Sequence, residues 1–167
     1  MEEKYTQLLK SIDSMHPGVI ITSEMLYDIP CIEIDKENLV SLVHDLKAND
    51  KFEFNFLTDI TVIHYPDNQG RELCGTYLLH NWKSNLRLRI KTYVSINDSH
   101  LPSLTGVFRT ANWLEREAYD NFGMIYDNHP DLRRILNMDD MDYHPLLKQY
   151  ALEDETRQDK NDTFFGR

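Results

Sequence analysis

Leu73-Cys74-Gly75-Thr76-Tyr77-Leu78-Leu79-His80, followed after a short polar break by Leu86-Arg87-Leu88-Arg89-Ile90-Lys91, reads as two successive β-strands. In the second, Leu86, Leu88 and Ile90 alternate with Arg87, Arg89 and Lys91, so one face is apolar and the other basic. That period of two is the pattern of a strand packed on one side. Upstream, Pro66-Asp67-Asn68-Gln69-Gly70 is a turn, residues 60–65 are rich in β-branched side chains, and Phe52, Phe54 and Phe56 alternate with Glu53 and Asn55. Together these read as hairpins.

Further toward the N-terminus, Tyr5, Leu8, Leu9 and Ile12 have helical spacing, as do Leu39, Leu42, Val43 and Leu46, with Asp35 placed to cap the second helix. Residues 19–22 and 31–34 read as short strands between them. The expected architecture is α+β: a mainly antiparallel sheet with the two early helices packed on one side, then further helices and an extended irregular C-terminal tail. Residues 1–138 form the domain. From Asp139 the chain carries eight acidic residues against four basic ones and few apolar anchors before Phe164 and Phe165. Residues 139–167 are therefore expected to order only along a partner.

Asn112 and Glu115 have nearly the spacing of a capping box, and Gly123 suits the left-handed residue that ends a helix, which predicts a helix over 113–122. Leu114, Ala118 and Phe122 make its apolar stripe; Arg116 with Asp120, and Glu117 with Trp113, lie on other faces. Residues 124–126 read as a short strand. Pro130 then fits the first turn of a second short helix carrying Asp131, Arg133 and Arg134. Adjacent arginines on a helix cannot share a face, so one is expected to fold back onto Glu115, Glu117 or Asp120 while the other points outward. Guanidinium suits both positions, because it binds carboxylates bidentately and is easier to desolvate than an ammonium. The plain alternative is a solvated helix pair whose bridges contribute under about 1 kcal/mol each.

Composition removes several classes. The net charge of −10 over 167 residues disfavours nucleic acid and anionic lipid. No window approaches a membrane-spanning run, and Met1-Glu2-Glu3-Lys4 is acidic with no hydrophobic core behind it, so neither a spanning helix nor a secretory signal is expected. Cys31 and Cys74 belong to no CxxC pair, and they read as buried reduced thiols rather than cluster or zinc ligands. His16, His44, His64, His80, His100 and His144 show no HExxH spacing. Gly70, Gly75, Gly106 and Gly123 form no phosphate-binding pattern, which leaves the basic strand face as a surface or interface. An acid/base site can be drawn from Glu115, Glu117 and Asp120 with His129, as in a carboxylate-dependent hydrolase. However, Glu115 and Glu117 diverge by roughly 200° around a helix axis, and His129-Pro130 reads as a junction whose imidazole bonds backbone or carboxylate.

The run over 112–136 resembles the signature of the 30 kDa subunit family of respiratory NADH:quinone oxidoreductase (complex I). Tyr77-Leu78-Leu79-His80 with Asn85-Leu86-Arg87-Leu88-Arg89-Ile90-Lys91 resembles the family's paired strands, Leu101-Pro102-Ser103-Leu104-Thr105 its approach to the signature helix, and His144-Pro145-Leu146 the start of its closing motif. Two departures stand out. Asn121 precedes Phe122 where the family places two apolar residues, and Leu147-Lys148-Gln149-Tyr150-Ala151 replaces Arg-Lys-Asp-Phe-Pro.

The resemblance implies a non-catalytic structural and assembly subunit of the hydrophilic arm, peripheral on the cytoplasmic side of the cell membrane. Its partners would be the large quinone-site subunit and the iron-sulfur subunits. FMN and the iron-sulfur clusters would lie in those chains, with no cofactor or metal in this one. It also implies that Glu115, Arg116, Glu117, Asp120, Phe122, Gly123, His129, Pro130, Asp131, Arg133, Arg134, His144 and Pro145 form the signature and partner interface. The equivalent subunit of a membrane-bound hydrogenase, an F420H2 dehydrogenase or a ferredoxin-plastoquinone reductase shares the same module.

Overall fold

A computed structural model describes residues 2–150. Five strands form one sheet in the order β1-β2-β5-β4-β3: β1 (Thr22–Leu26), β2 (Ile29–Glu33), β3 (Phe56–His64), β4 (Leu73–Asn81) and β5 (Leu86–Val94). Three of the four pairings are antiparallel; β2 and β5 run parallel. The expected mainly antiparallel sheet is present. The parallel pair arises because the chain leaves β2 through α2 (Leu39–Ala48), enters the sheet at its far edge as β3, and returns by two hairpins.

One face of this sheet holds the core. Register places Ile60 opposite Tyr77, Tyr77 opposite Ile90, and Ile90 opposite Ile32, all buried. Onto it pack Leu8 and Ile12 of α1 (Glu2–Met15) and Leu39, Leu42, Val43 and Leu46 of α2. These are the apolar positions that helical spacing selects, and each contributes on the order of 1.5–3 kcal/mol by leaving water. Gly75 sits where β4 is crossed closely, since a Cβ there would lie 2.6 Å from Leu101 Cδ1.

Several boundaries differ from the periodicity reading. β1 begins at Thr22 rather than at Val19, because this edge strand is almost wholly exposed and its apolar residues do not mark it. Phe52 and Phe54 are buried but precede the strand: Glu53 takes φ 38°, and the Phe54 amide donates to Leu46 O at the end of α2. Asp35 caps nothing with its side chain and precedes a 3-10 turn at Lys36–Asn38, so α2 starts at Leu39.

On the other face, Lys91 of β5 pairs with Glu24 of β1 at 3.3 Å across the intervening β2. Cys31 and Cys74 lie on this side as buried free thiols, and burial pushes both above the usual thiol range. A second sheet joins β6 (His100–Pro102) to β7 (Ile125–Asp127) in parallel. Between these two strands comes α3 (Ala111–Phe122), which lies against edge strand β3.

Candidate functional site

α3 runs two residues longer than predicted at its start, and its N-terminus has no side-chain cap. The expected capping box is absent: Glu115 turns inward and accepts hydrogen bonds from Ser103 Oγ at 2.7 Å and the Leu104 amide at 2.6 Å. The loop after β6 brings those donors over the helix, and they satisfy the carboxyl better than its own first turn. The buried stripe is accordingly Ala111, Glu115 and Ala118, with Leu114 and Phe122 half-buried beside it. At the other end Gly123 adopts φ 74° and its amide reaches Tyr119 O, as expected for the terminating glycine. A Cβ on Gly123 would come 2.7 Å from the His144 ring.

The signature residues after β7 form a collar around α3. No second helix starts at Pro130; the chain makes a turn and then runs irregularly. The cause lies on α3. Asp120 is fully enclosed, and one of its oxygens accepts the consecutive amides of Ile135, Leu136 and Asn137 at 3.0, 2.8 and 2.9 Å. Arg116 meanwhile donates to the carbonyls of Arg133 at 3.2 Å and Arg134 at 3.0 Å rather than to Asp120. Backbone groups that a helix would use internally are bound by α3 side chains instead.

One arginine folds inward and its neighbour points out, as expected. Arg134 Nη1 donates to Asp120 Oδ1 at 2.7 Å and to Asp120 O at 3.1 Å; Nη2 donates to Met141 O and Tyr143 O at 2.6 and 3.0 Å. Arg133 is exposed and pairs with exposed Asp131 at 2.9 Å. Burial alone would raise the Asp120 carboxyl, but the amides of Asn137 and Leu136, the Arg134 guanidinium and the Ile135 amide outweigh it and hold it well below the carboxylate range.

The closing motif completes the collar. His144 donates from Nδ1 to Asp120 O at 3.0 Å and meets Tyr119 edge-on, while the Leu146 amide donates to Asn121 O at 3.0 Å. These donors, with Arg134, occupy carbonyls that the end of a helix leaves open. Leu147 is buried and the Lys148 amide donates to His64 Nδ1 at 3.0 Å, which ties the chain to β3. Residues 139–150 thus contact the domain at several points, whereas residues 151–167 lie outside those described.

The remaining signature residues separate. His129 is enclosed, donating from Nε2 to Asn112 O at 3.1 Å and accepting the Asp131 amide on Nδ1 at 3.0 Å. Pro130 and Glu117 are exposed, and Pro145 is half-buried. Glu115 and Asp120 are enclosed while Glu117 faces solvent, so the three carboxyls of the acid/base reading do not converge. Two open depressions, about 420 Å³ beside β1 and about 410 Å³ on the outer sheet face, share no lining residue with α3, and a third of about 470 Å³ is lined by residues 105–110 just before it. Among the described residues no group of three or more His, Cys, Asp or Glu could hold a metal ion, and no helix is long and apolar enough to cross a membrane. Leu136, Met138 and Leu146 after β7, and Trp113 on α3, are all exposed.

Sequence reasoning did not select Ser103, Leu104, Asn121, Met141 or Tyr143. Four of them act through backbone atoms, which carry no residue-type signal; Ser103 acts through its hydroxyl.

Residues 32–156 match the family described as the 30 kDa subunit of the respiratory-chain NADH dehydrogenase. An NADH-quinone oxidoreductase subunit of Mycolicibacterium gilvum is 40% identical over 121 residues, 72% of this chain and 54% of that protein. Its counterpart in Geotalea uraniireducens is 36% identical over 158 residues, 95% of this chain and 94% of that protein. The chain spans about half the length of several curated relatives, 54%, 58% and 47% in three of them. Among solved structures, the trypsin-resistant fragment 1–134 of Nqo5 superposes with a TM-score of 0.61 at 27% identity, covering 76% of this chain and 98% of the fragment. A chain of an archaeal membrane-bound sulfane sulfur reductase gives a TM-score of 0.75 at 17% identity, covering 89% of this chain and 86% of that one, a likeness of fold.

Proposed function

Because this chain belongs to the family of the 30 kDa subunit of the respiratory-chain NADH dehydrogenase, we propose that it is a structural and assembly subunit of the peripheral arm of a proton-translocating NADH:quinone oxidoreductase. It contributes geometry rather than chemistry. Electron transfer from NADH to quinone demands fixed distances between chains, and a rigid domain between them supplies that. FMN and the iron-sulfur clusters belong to partner chains, the large quinone-site subunit and the iron-sulfur subunits. The protein sits peripherally on the cytoplasmic side of the membrane, held by those partners.

The observation that carries this reading is the collar. Three consecutive amides and one guanidinium converge on the enclosed Asp120, so the loop is locked from beneath while Leu136 and Met138 stand 67% and 68% exposed on its outside. Apolar side chains presented on a pre-organised loop are what an obligate interface uses.

A second reading, the equivalent subunit of a related respiratory complex, has the fold likeness to the archaeal sulfane sulfur reductase in its favour. Purifying the tagged protein from its native membranes in mild detergent, with partner chains identified by mass spectrometry and NADH:quinone activity assayed on the same sample, separates the two. Flavin- and iron-sulfur-bearing chains with that activity are expected. Hydrogenase-type or ferredoxin-linked partners select the second reading, and a lone monodisperse protein overturns both.

A further inference from the structure

The two enclosed carboxyls of α3 have opposite surroundings. Asp120 has a guanidinium and three amides. Glu115 accepts only from Ser103 Oγ and the Leu104 amide, and among the described residues no lysine or arginine lies within ion-pair distance of it. The basic side chain that does approach it is His129, whose Nε2 lies 4.0 Å from Glu115 Oε2.

Both ring nitrogens are engaged by backbone groups: Nδ1 accepts the Asp131 amide and Nε2 donates to Asn112 O, so neither is bonded to the carboxyl.

The other elements around Glu115 bring no cation. β4 contributes the Tyr77 hydroxyl and β7 the Tyr126 hydroxyl, both enclosed and without a hydrogen-bond partner among the described residues. Burial raises both phenols, and proximity to Glu115 raises them further, so neither ionises near neutrality. The loop after β6 contributes Ser103 and, hydrogen-bonded to it at 2.8 Å, Thr105. An ionised Glu115 is therefore an enclosed charge whose compensation is limited to two hydrogen bonds.

We propose that Glu115 is a proton-binding site acting as a latch: with its proton held, the carboxyl stays enclosed between α3 and the loop after β6, and release of that proton leaves a buried charge that the Ser103 and Leu104 donors do not balance, which loosens the packing of α3 on the loop. Burial pushes the carboxyl up to about 7, which its two hydrogen bonds only partly oppose. Raised above its unfolded value of 4.5, Glu115 contributes stability that is complete below pH 4.5 and is lost as the pH rises through about 7. The latch is closed in mildly acid solution and opens on the alkaline side.

The test uses the full chain labelled with 13C at the glutamate side-chain carboxyls, titrated by NMR from acid to alkaline pH. The Glu115 resonance is identified by its loss in Glu115→Gln. A midpoint near neutrality is expected, together with a wild-type unfolding equilibrium that weakens by roughly a hundredfold or more relative to Glu115→Gln across the same range. A midpoint in the ordinary carboxylate range, or parallel stability curves, overturns the proposal.

Should Glu115→Gln fail to fold, Ser103→Ala serves instead. It removes a donor that favours the ionised form, so it both identifies the resonance and moves its midpoint upward; an unmoved midpoint overturns the latch.

Discussion

Arg134 Nη1 lies 2.7 Å from Asp120 Oδ1, with the carboxylate fully enclosed and the arginine 10% exposed, whereas Arg133 beside it is 68% exposed. One residue of sequence thus separates a side chain that holds the fold from one that faces outward. The collar hangs on this difference.

Removing one member of the pair leaves the other buried without compensation. Asp120→Ala is expected to cost about 3–5 kcal/mol, read by chemical denaturation. Hydrogen exchange at Ile135, Leu136 and Asn137 should rise together, because all three amides end on the same oxygen. Arg134→Ala combined with Asp120→Ala should cost less than the sum of the single changes. Additive costs would show that the pair does not act as a unit.

The Asp120 carboxyl is held below its unfolded value of 3.8, so its contribution is present above pH 3.8 and lost as the pH falls further. Wild type should therefore weaken relative to Asp120→Asn in the acid limb of a stability profile. A constant difference between the two below pH 3.8 would contradict the assignment.

Charge reversal at Arg133 should separate folding from assembly. Arg133→Glu, Leu136→Asp and Met138→Asp act on exposed side chains, so each is expected to leave stability within roughly 0.5 kcal/mol while lowering recovery of assembled complex from membranes. Arg134→Glu should lose both. Complex that is fully assembled but inactive in the Arg133 variant would reopen a catalytic role.

Gly123→Ala meets two obstacles, a left-handed φ of 74° and a Cβ position 2.7 Å from the His144 ring. It should destabilise by about 1 kcal/mol or more. His144→Ala in the same chain removes the clash but not the backbone strain, so only part of the loss should return. Thermal melts of the four combinations give the answer.

His64 provides an opposing pH response. Burial, then the nearby Lys148 charge, hold its imidazole below the usual value of 6.5, and neutral Nδ1 accepts the Lys148 amide. Its contribution is present above pH 6.5 and lost as the pH falls below it. Wild type should lose stability relative to His64→Gln over that interval, the reverse of the Glu115 trend, so each must be measured against its own variant. If the His64→Gln profile runs parallel to wild type, the bond to Lys148 is not linked to protonation.

Periodicity was sufficient for α1, α2 and β5, because each buries one face and a buried face leaves a repeat of apolar residues at i, i+3 and i+4 or at i and i+2; β4 is buried on both faces over residues 73–77 and was marked instead by the turn before it. Periodicity was insufficient for β1, whose exposed edge leaves no repeat, and for Phe52 and Phe54, which are buried from an irregular segment. One inward and one outward arginine were legible, with Asp120 among three candidate carboxylates for the inward one. The backbone donors and acceptors around them were not.

The order of residues along this chain determined that a helix ends at Gly123, that a mainly antiparallel sheet supports it, and that a segment mixing charges with apolar residues follows; these depend on local φ preferences and one-sided burial. Contacts between distant segments decided which carboxyl became a neutralised anchor and which an enclosed acid. Asp120 met Arg134 and the amides of residues 135–137 because the chain turns back after β7, and Glu115 met Ser103 and Leu104 because β6 pairs beside it. Both are acidic residues of one helix. What distinguishes them is the donors that folding brings to each, and most of those donors are backbone atoms that no residue type announces.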